Sequence, residues 1–250
     1  MTGASAGLGT EFAKLCAAGG YDVVLVARSA SRLDEVAAEL RTSYGIQARA
    51  LPADLADPSA PSAIFAQLGE TPVDILINNA GFGMRGPFAE SDWVRDASLL
   101  QVNMVSLAHL TRLFLPGMIG RRTGRVLNVA STAAFVAGPF MAVYYASKAF
   151  VLSFSEALAN EIKGTGVTVT ALCPGATRTE FAKVAGVADS GLFNGATMAR
   201  PRWRASAGDA MMAGKSSEIA GARNRWLIRG TRLAPRSFVA AQARRLNLDR

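Results

Sequence analysis

The chain has 250 residues, half of them apolar, so it is long enough for one large α/β domain with a sizeable buried core. Its formal charge of +8 is unevenly spread: residues 198–250 hold 12 Lys or Arg and 3 Asp or Glu, whereas residues 1–197 hold 15 and 16. A nearly neutral body argues against nucleic-acid binding as the main function. Two cysteines and one histidine argue against a disulfide framework and against a bound metal.

Neither a secretion signal nor a membrane-spanning segment is predicted. The opening residues, MTGAS, lack the basic and then apolar pattern of a secretion signal. No uninterrupted apolar run of about 18 residues occurs anywhere in the chain. We therefore expect a cytoplasmic protein.

Short runs rich in Val, Ile and Leu alternate along the chain with longer amphipathic stretches. The predicted strands are 22–27, 47–51, 73–77, 125–130 and 167–173, and the predicted helices are 8–18, 31–44, 60–68, 91–119 and 143–163. This alternation predicts right-handed βαβ units and a parallel sheet covered by helices on both faces. We expect a three-layer, doubly wound sheet in a single domain of residues 1–250. Residues 1–185 would form the cofactor and catalytic core, and residues 186–250 a substrate lid and a basic C-terminal helical segment.

A glycine-rich turn, TGASAGLG at residues 2–9, precedes the first predicted helix. Glycines let a backbone approach a pyrophosphate closely, and the amides of a helix N-terminus attract its charge. The residues expected to form this cofactor site are Gly3, Ser5, Gly7, Leu8 and Gly9. Glycine turns at helix starts are also common without any ligand.

Arg28 and Ser29 follow the first predicted strand, where an acidic residue would bind the ribose 2′-hydroxyl of NAD. A cation and a hydroxyl at this place favour the 2′-phosphate of NADP(H) instead. The alternative is a solvated arginine at the end of a strand. Together with the glycine turn, these residues favour NADP(H) over NAD(H).

Two further strand ends carry residues suited to a nucleotide. Asp54, followed by Leu55, comes after the second predicted strand, and its carboxylate could accept a hydrogen bond from an adenine amino group. Asn79, Ala80 and Gly81 follow the third predicted strand, and their small size would let a cofactor lie across the strand ends. Asn, Asp and Gly also favour ordinary turns, so each site has a structural alternative.

Tyr144 and Lys148 carry the most specific chemical signal. Residues four apart share one face of a helix, so both side chains should point into the same space. A nearby ammonium favours the phenolate and should lower the pKa of the tyrosine toward its working range. Ser131 follows a predicted buried strand and could hydrogen-bond a substrate oxygen. Tyr145 is a rival for Tyr144, although its spacing from Lys148 is three.

These motifs resemble those of the short-chain dehydrogenase/reductase superfamily over residues 1–185. Within it, the segments GFGMRGPF, NVASTAAF and CPGATRTEF resemble a bacterial branch of NADP-type reductases, whose relatives include 3-oxoacyl and 17β-hydroxysteroid reductases. The matching elements are TGxxxGxG (residues 2–9), NNAG (78–81), Asn103, Ser131, YxxxK (Tyr144 and Lys148) and PGxxxT (Pro174, Gly175 and Thr179). The resemblance implies that Tyr144 is the general acid in carbonyl reduction and that Lys148 tunes it and binds the ribose hydroxyls.

The same resemblance assigns roles to four other positions. Ser131 would polarise the carbonyl, and Asn103 would hold a water that relays protons. Thr177 and Thr179 would steady the nicotinamide amide and the pyrophosphate, beside Pro174 and Gly175. The expected reaction is hydride transfer between NADP(H) and a carbonyl/alcohol pair.

The substrate is expected to be a small apolar molecule. Apolar side chains flank the motifs and could line its pocket, although each could equally belong to the core: Phe82, Met84, Phe88, Phe135, Met141 and Phe181. Arg85 could meet an acidic substrate group or face solvent, and we interpret His109 as structural.

Two other functional classes remain open at this point. One is a non-catalytic NADP-binding regulator, since a fold alone does not fix function. Another is contact with a membrane surface, because residues 223–229, with residues 235–248 behind them, mix Trp, Phe and Leu with arginines as interfacial helices do. The simpler interpretation of that segment is a basic helix packed on the domain. A homo-oligomer is also compatible with the sequence.

The chain departs from the family pattern at two places. Members of the family have an apolar strand before the glycine turn, and here the chain starts where that strand should end. Burying about four fewer aliphatic side chains would remove roughly 6–12 kcal/mol, comparable with the whole stability of a domain. We therefore expect a longer N-terminus in the working protein, and poor folding and weak NADPH binding without it. The last family strand, near residues 215–220, is polar and should be weak or missing.

Overall fold

The computed structural model describes residues 1–175, 207–231 and 233–248. The strands are β1 Val23–Ala27, β2 Ala48–Pro52, β3 Ile75–Asn78, β4 Gly124–Val129, β5 Val167–Cys173 and β6 Ser217–Ile219. The helices are α1 Gly7–Ala18, α2 Ala30–Tyr44, α3 Ala60–Leu68, α4 Trp93–Leu100, α5 Leu107–Gly120, α6 Ala142–Glu161, α7 Ala222–Thr231 and α8 Arg236–Asn247. A π-helix, Gln101–Ser106, joins α4 to α5, and 3₁₀ turns span Phe88–Glu90 and Thr132–Phe135.

The strands are all parallel, with β1 paired to β2 and the other four in the order β3-β4-β5-β6. Residues 1–4 lie between β1 and β3 and join the two groups. The amide of Val26 donates to the carbonyl of Met1, and the amide of Thr2 donates to the carbonyl of Ile77, both at 2.9 Å. The doubly wound parallel fold expected from the sequence is confirmed. Residues 1–4 therefore lie in the middle of the sheet, between β1 and β3. This is the position of the strand that the sequence predicts to be mostly missing.

Helices cover the sheet on both faces because neighbouring residues of each strand enter opposite cores. Ile77 packs in one core with α1 and α2, whereas Leu76 packs in the other with α3 and α5. Leu127 and Val126 divide in the same way along β4. Strands buried on both sides require continuous apolar runs, which is the pattern seen in the sequence.

The last described strand is short. Residues Ser217–Ile219 pair in parallel with Ala171, Leu172 and Cys173 of β5. The three residues of this last strand are only partly buried. The expectation of a weak final strand is confirmed. Its polar sequence provides no apolar run to bury.

The continuous helical stretch Trp93–Arg121 is long enough to cross a membrane, and an 18-residue window within it is apolar enough, with a mean hydropathy of 1.2. The sequence analysis did not anticipate this, since polar residues interrupt every apolar run. Core helices of soluble proteins have the same length and composition. Leu99, Leu110 and Met118 are almost completely buried on this stretch, and α5 packs against α3, β3 and β4. These contacts are those of a core helix.

Candidate active site

The carboxyl ends of β1, β3, β4 and β5 meet at one edge of the sheet, as they must in a parallel arrangement. A cleft of about 970 Å³ lies along this edge. Open parallel sheets bind their ligands at this place. Sixteen of the predicted site residues line the cleft: Gly3, Ser5, Gly7, Leu8, Arg28, Ser29, Asp54, Leu55, Asn79, Ala80, Gly81, Ser131, Tyr144, Lys148, Pro174 and Gly175.

The glycine turn is shaped by contacts with the residues that follow β3. Gly3 has a φ of +63°, and a Cβ atom on it would lie 2.9 Å from the amide nitrogen of Ala80. A Cβ atom on Gly9 would collide with the carbonyl oxygen of Gly3, so Gly9 serves packing behind the cleft instead of lining it. The Nδ2 of Asn79 donates to the carbonyl of Gly3 at 3.0 Å. The turn therefore presents bare backbone at the start of α1, as a phosphate site requires.

Arg28 and Ser29 lie at the end of β1, on the same side of the cleft. Arg28 is exposed and forms neither a hydrogen bond nor an ion pair within the part of the chain that the structure describes. Ser29 caps α2, because its Oγ accepts from the amide of Arg32 at 3.4 Å. The guanidinium is therefore available to an anion, whereas the serine hydroxyl already has a structural role.

Asp54 and Leu55 reach the cleft from the segment after β2. One carboxylate oxygen of Asp54, Oδ1, accepts from the amide of Ala56 at 3.0 Å, which fixes the side chain within a turn. The carbonyl of Leu55 accepts from the hydroxyl of Ser106 at 2.7 Å, which ties this wall to the π-helix. The second carboxylate oxygen of Asp54 has no hydrogen-bond partner in the part of the chain that the structure describes, so it can meet a ligand.

The catalytic candidates Ser131, Tyr144 and Lys148 converge at the deep end of the cleft. Ser131 follows β4, and Tyr144 and Lys148 lie one turn apart on α6. The Nζ of Lys148 lies 6.0 Å from the centre of the Tyr144 ring and donates to the carbonyl of Val129 at 2.8 Å. The Ser131 side chain hydrogen-bonds the Tyr144 hydroxyl. This arrangement brings a phenol, an alcohol and an amine to one point.

Burial controls the proton affinities at this point. It raises the pKa of Tyr144 well above 10, and the hydrogen bond from Ser131 opposes this only in part. The same burial lowers the pKa of Lys148 to about 8. The direction for Tyr144 is opposite to the one that the YxxxK spacing predicts, because removal from water disfavours the phenolate more than the neighbouring groups favour it. Tyr144 is therefore a protonated phenol at neutral pH, which suits a proton donor.

Asn103 lies behind the cleft, fully buried in the π-helix. Its Nδ2 donates to the carbonyl of Phe82 and to the hydroxyl of Ser147, both at 3.0 Å, and its Oδ1 accepts from the amide of Phe82 at 3.1 Å. The side chain thus clamps the backbone after Gly81 and connects it to α6. These three bonds occupy the side-chain amide. The water relay implied by the family resemblance stays a prediction.

Gly81 is surrounded by two of the candidate residues. A Cβ atom at this position would lie 3.0 Å from the Oδ1 of Asn103 and 3.3 Å from the Nζ of Lys148. Such contacts are tighter than ordinary van der Waals packing, so a side chain here would press on both groups. The NNAG motif therefore leaves room for the amine of Lys148 as well as for a cofactor.

The apolar candidates divide between pocket and core. Phe82 and Met141 line the cleft, whereas Met84 and Phe135 pack in side-chain clusters beside it and Phe88 is exposed. Thr177, Thr179 and Phe181 lie outside the described residues. Sequence reasoning missed a group of lining residues that face the cleft from α4 and the π-helix: Val94, Arg95, Ser98 and Val102. No motif marks them, because periodicity identifies a helix without showing which part of its surface a cleft will reach.

Comparison with known proteins decides the family. The short chain dehydrogenase family profile matches residues 1–188, three quarters of the chain. The chain belongs to the short-chain dehydrogenase family. Within it, the chain is 38% identical over 177 residues to the ketoacyl reductase HetN of Nostoc sp., covering 70% of this chain and 61% of that protein. It is 34% identical over 190 residues to the very-long-chain 3-oxoacyl-CoA reductase of Anas platyrhynchos, covering 74% and 61%.

A solved member of the family shares most of the fold. The short-chain dehydrogenase from Sphingobium yanoikuyae in complex with NADPH aligns with a TM-score of 0.83 and 33% identity, covering 93% of this chain and 92% of that one. The curated relatives are longer, and the chain spans about three fifths of their length. The family match ends at residue 188, so the basic C-terminal segment lies outside it.

Proposed function

We propose that the chain is an NADP(H)-dependent oxidoreductase that interconverts a carbonyl and an alcohol on an apolar small molecule. The observation that carries the proposal is the meeting of Ser131, Tyr144 and Lys148 at one end of a cleft. Its other parts are a bare glycine turn and Arg28, which has no ion-pair partner among the described residues. The family membership and the NADPH-bound structural relative support it. A protein that only binds nucleotide has no use for the first three residues.

The residues present fit the cofactor. The backbone at Gly3 has a positive φ and packs against Asn79 and Ala80 with no room for a Cβ atom, so only glycine fits this turn at the edge of the cleft. Arg28 is placed to bind a 2′-phosphate, and Asp54 has one carboxylate oxygen left for a hydrogen-bond donor. NADPH, when bound, supplies the hydride for reduction.

The chain's own groups would manage the proton and the negative charge on the substrate oxygen. Tyr144 holds the proton on its buried hydroxyl and passes it to that oxygen, with Ser131 as a second hydrogen-bond donor. Lys148 remains an ammonium below pH 8 and stabilises the negative charge left on the tyrosine. Asn103 acts through others, because it fixes the backbone of Phe82 and the side chain of Ser147.

An apolar substrate is supported by the walls near Tyr144. Phe82, Val94, Ala133 and Met141 line this part of the cleft, with Arg95 and Ser98 as the polar exceptions from α4. A mostly apolar wall with few polar groups is typical of small-molecule sites. Relatives named as 3-oxoacyl-CoA and ketoacyl reductases make 3-oxoacyl thioesters the first compounds to test.

The test follows NADPH absorbance while purified protein meets a panel of apolar ketones, aldehydes and 3-oxoacyl thioesters. We expect oxidation of NADPH with at least one apolar carbonyl, and its loss in Tyr144→Phe. A matched control, Tyr145→Phe, removes the neighbouring hydroxyl and should retain activity. If NADPH binds with high affinity but no carbonyl is reduced, the chain is a non-catalytic nucleotide-binding regulator and the proposal fails.

A further inference from the structure

The C-terminal helices α7 and α8 carry a surface that the reaction does not use. Residues 222–248 contain seven arginines and no Lys, Asp or Glu. Arg225 pairs with Glu218, outside the segment, at 3.2 Å. Arg223, Arg229, Arg236 and Arg245 form no ion pair with any residue that the structure describes. This part of the chain is therefore strongly cationic, with little internal compensation.

Apolar side chains are exposed among these arginines. Trp226 is 71% exposed and Leu233 is 91% exposed, and Leu227 and Phe238 are both more than half exposed. A groove of about 610 Å³ runs between the two helices. We call this surface the basic groove, lined by Arg223, Trp226, Leu227, Gly230, Thr231, Ala234, Phe238, Val239 and Gln242.

The exposed residues of α7 lie on one face of the helix. Arg223, Trp226, Leu227 and Gly230 follow the i, i+3, i+4, i+7 pattern of one helix face, and that face lines the groove. The helix is anchored elsewhere, because Ile228 is its buried residue. A helix with a second apolar face, rimmed by cations and away from its anchoring contact, is built to meet a partner.

Charge and shape together select the partner. A second copy of the groove would bring one set of arginines against another, which is repulsive. A nucleic acid would satisfy the arginines but leave Leu227, Leu233 and Phe238 uncovered. An anionic bilayer satisfies both, because its headgroups bind arginines while its acyl boundary receives aromatic and aliphatic side chains. The guanidinium of Arg229 lies 5.6 Å from the centre of the Trp226 ring, so a cation for the headgroups and an aromatic ring for the acyl boundary lie side by side.

We propose that the basic groove binds the surface of a bilayer that contains anionic lipid. The binding depends on α7 and α8 alone and not on the proposed reaction. It would, however, hold the cleft near the membrane, because α7 packs against the 3₁₀ turn Thr132–Phe135 after Ser131. The side chain of Asn224 in α7 also approaches Gly175 at the edge of the cleft. An apolar substrate dissolved in the bilayer would then be close to the site.

The test is co-sedimentation of the full chain with vesicles, in the absence of NADPH and substrate. Vesicles of phosphatidylcholine alone are compared with vesicles in which a third of the lipid is phosphatidylglycerol. We expect binding to the anionic vesicles only, weakened by high salt. The double variant Arg223→Gln/Arg229→Gln should bind about 30-fold more weakly, as the loss of two cationic contacts predicts.

A matched control removes two arginines elsewhere. Arg32→Gln/Arg112→Gln loses the same charge from α2 and α5, which are outside the basic groove, and should bind as the wild type does. Equal binding by the two double variants would show that only net charge matters and would overturn the proposal. No binding to anionic vesicles, or equal binding to both lipid compositions, would overturn it too.

Fluorescence provides a second measurement on the unaltered protein. Lipids brominated on the acyl chain should quench part of the tryptophan emission, and Trp226→Phe should remove the quenched part while Trp93→Phe retains it. Failure of Trp226→Phe to change the quenching would place another surface against the bilayer and reject the basic groove. Turnover of a water-soluble substrate should stay unchanged in all of these variants, which separates a failed docking surface from a failed reaction.

Discussion

The hydroxyl of Tyr145 donates a hydrogen bond to the Oδ1 of Asn247 at 3.2 Å, across 102 residues of sequence. The other side-chain atom, Nδ2, donates to the carbonyl of Pro139 at 2.9 Å, and Asn247 has no exposed surface. Tyr145 is adjacent to Tyr144, and their rings meet edge to face with centres 6.0 Å apart. The last helix of the described chain is therefore tied to the helix that carries the proposed proton donor.

Removing Asn247 should destabilise the fold. Asn247→Ala leaves the Tyr145 hydroxyl and the Pro139 carbonyl buried without this partner, so we expect the free energy of unfolding to fall by about 1–3 kcal/mol. The double variant with Tyr145→Phe should lose less unfolding free energy than the sum of the two single variants, because each single change removes the same hydrogen bond. Denaturant unfolding measures these free energies, and Asn160→Ala on the exposed face of α6 is the control. Strictly additive effects would mean that the bond contributes nothing.

Turnover should depend on Tyr144 and not on its neighbour. Tyr144→Phe keeps the ring and removes the proton donor, so we expect activity to fall by ~100-fold or more while NADPH still binds. Tyr145→Phe should change activity only slightly, since its hydroxyl is bound to Asn247. Steady-state kinetics and NADPH binding by fluorescence separate the two. Near-normal activity in Tyr144→Phe would assign the proton to a different group.

Cofactor choice should depend on Arg28. Arg28→Asp replaces attraction for a 2′-phosphate by repulsion and offers a carboxylate to the ribose hydroxyls, so preference should move from NADPH toward NADH. Arg32→Asp makes the same charge change at an exposed residue of α2 that does not line the cleft. It should leave the preference as it is. The measurement is the ratio of dissociation constants for the two cofactors, and an unchanged ratio in Arg28→Asp would exclude this arginine from recognition.

Lys148 should make stability depend on pH in a defined window. Its pKa is about 8 when folded and 10.5 when exposed to water, because burial disfavours the ammonium. Between these values the unfolded chain binds more protons than the folded chain, so this group's contribution to stability rises with pH. Below pH 8 both states are charged, and the cost of burying the ammonium is fully present.

The contribution is isolated by comparison with Lys148→Met. The difference in unfolding free energy, wild type minus variant, should become more favourable to the wild type between pH 8 and about 10.5. The comparison cancels buried groups elsewhere in the fold whose pKa is raised, such as Cys16, which weaken the fold as pH rises. A difference that stays constant across this window would contradict the lowered pKa of Lys148.

The parts of the site that the sequence predicts are those defined by local geometry. Tyr144 and Lys148 share a helix face because of the helical repeat, and Gly3 has a positive φ because the turn into α1 demands it. Arg28 and Ser131 could be placed because parallel strands end at a common edge. Each of these inferences needs only an element type and a short stretch of residues.

The rest depends on distant packing. Asn247 meets Tyr145 through the arrangement of α8 on the domain, and no local pattern in either segment indicates the pair. The direction of the Tyr144 pKa depends on burial within a cluster that includes Leu99 and Met141, which spacing cannot reveal. Arg95 reaches the cleft because of the way α4 lies across it. Burial is a property of the whole fold, so a sequence motif can identify an acid without fixing its proton affinity.

The π-helix at Gln101–Ser106 allows the sequence of the site to change while the helices on either side of it stay packed. A π-turn amounts to one extra residue inserted in an otherwise continuous helix, so α4 and α5 can keep their contacts with the rest of the domain on either side of it. Mutations that adjust this turn can therefore move Asn103 without disturbing those packed helices. We expect loss of one residue here to release the hold of Asn103 on Phe82 while α4 and α5 keep their packing. Inserted residues of this kind let a lineage revise chemistry while its architecture stays the same.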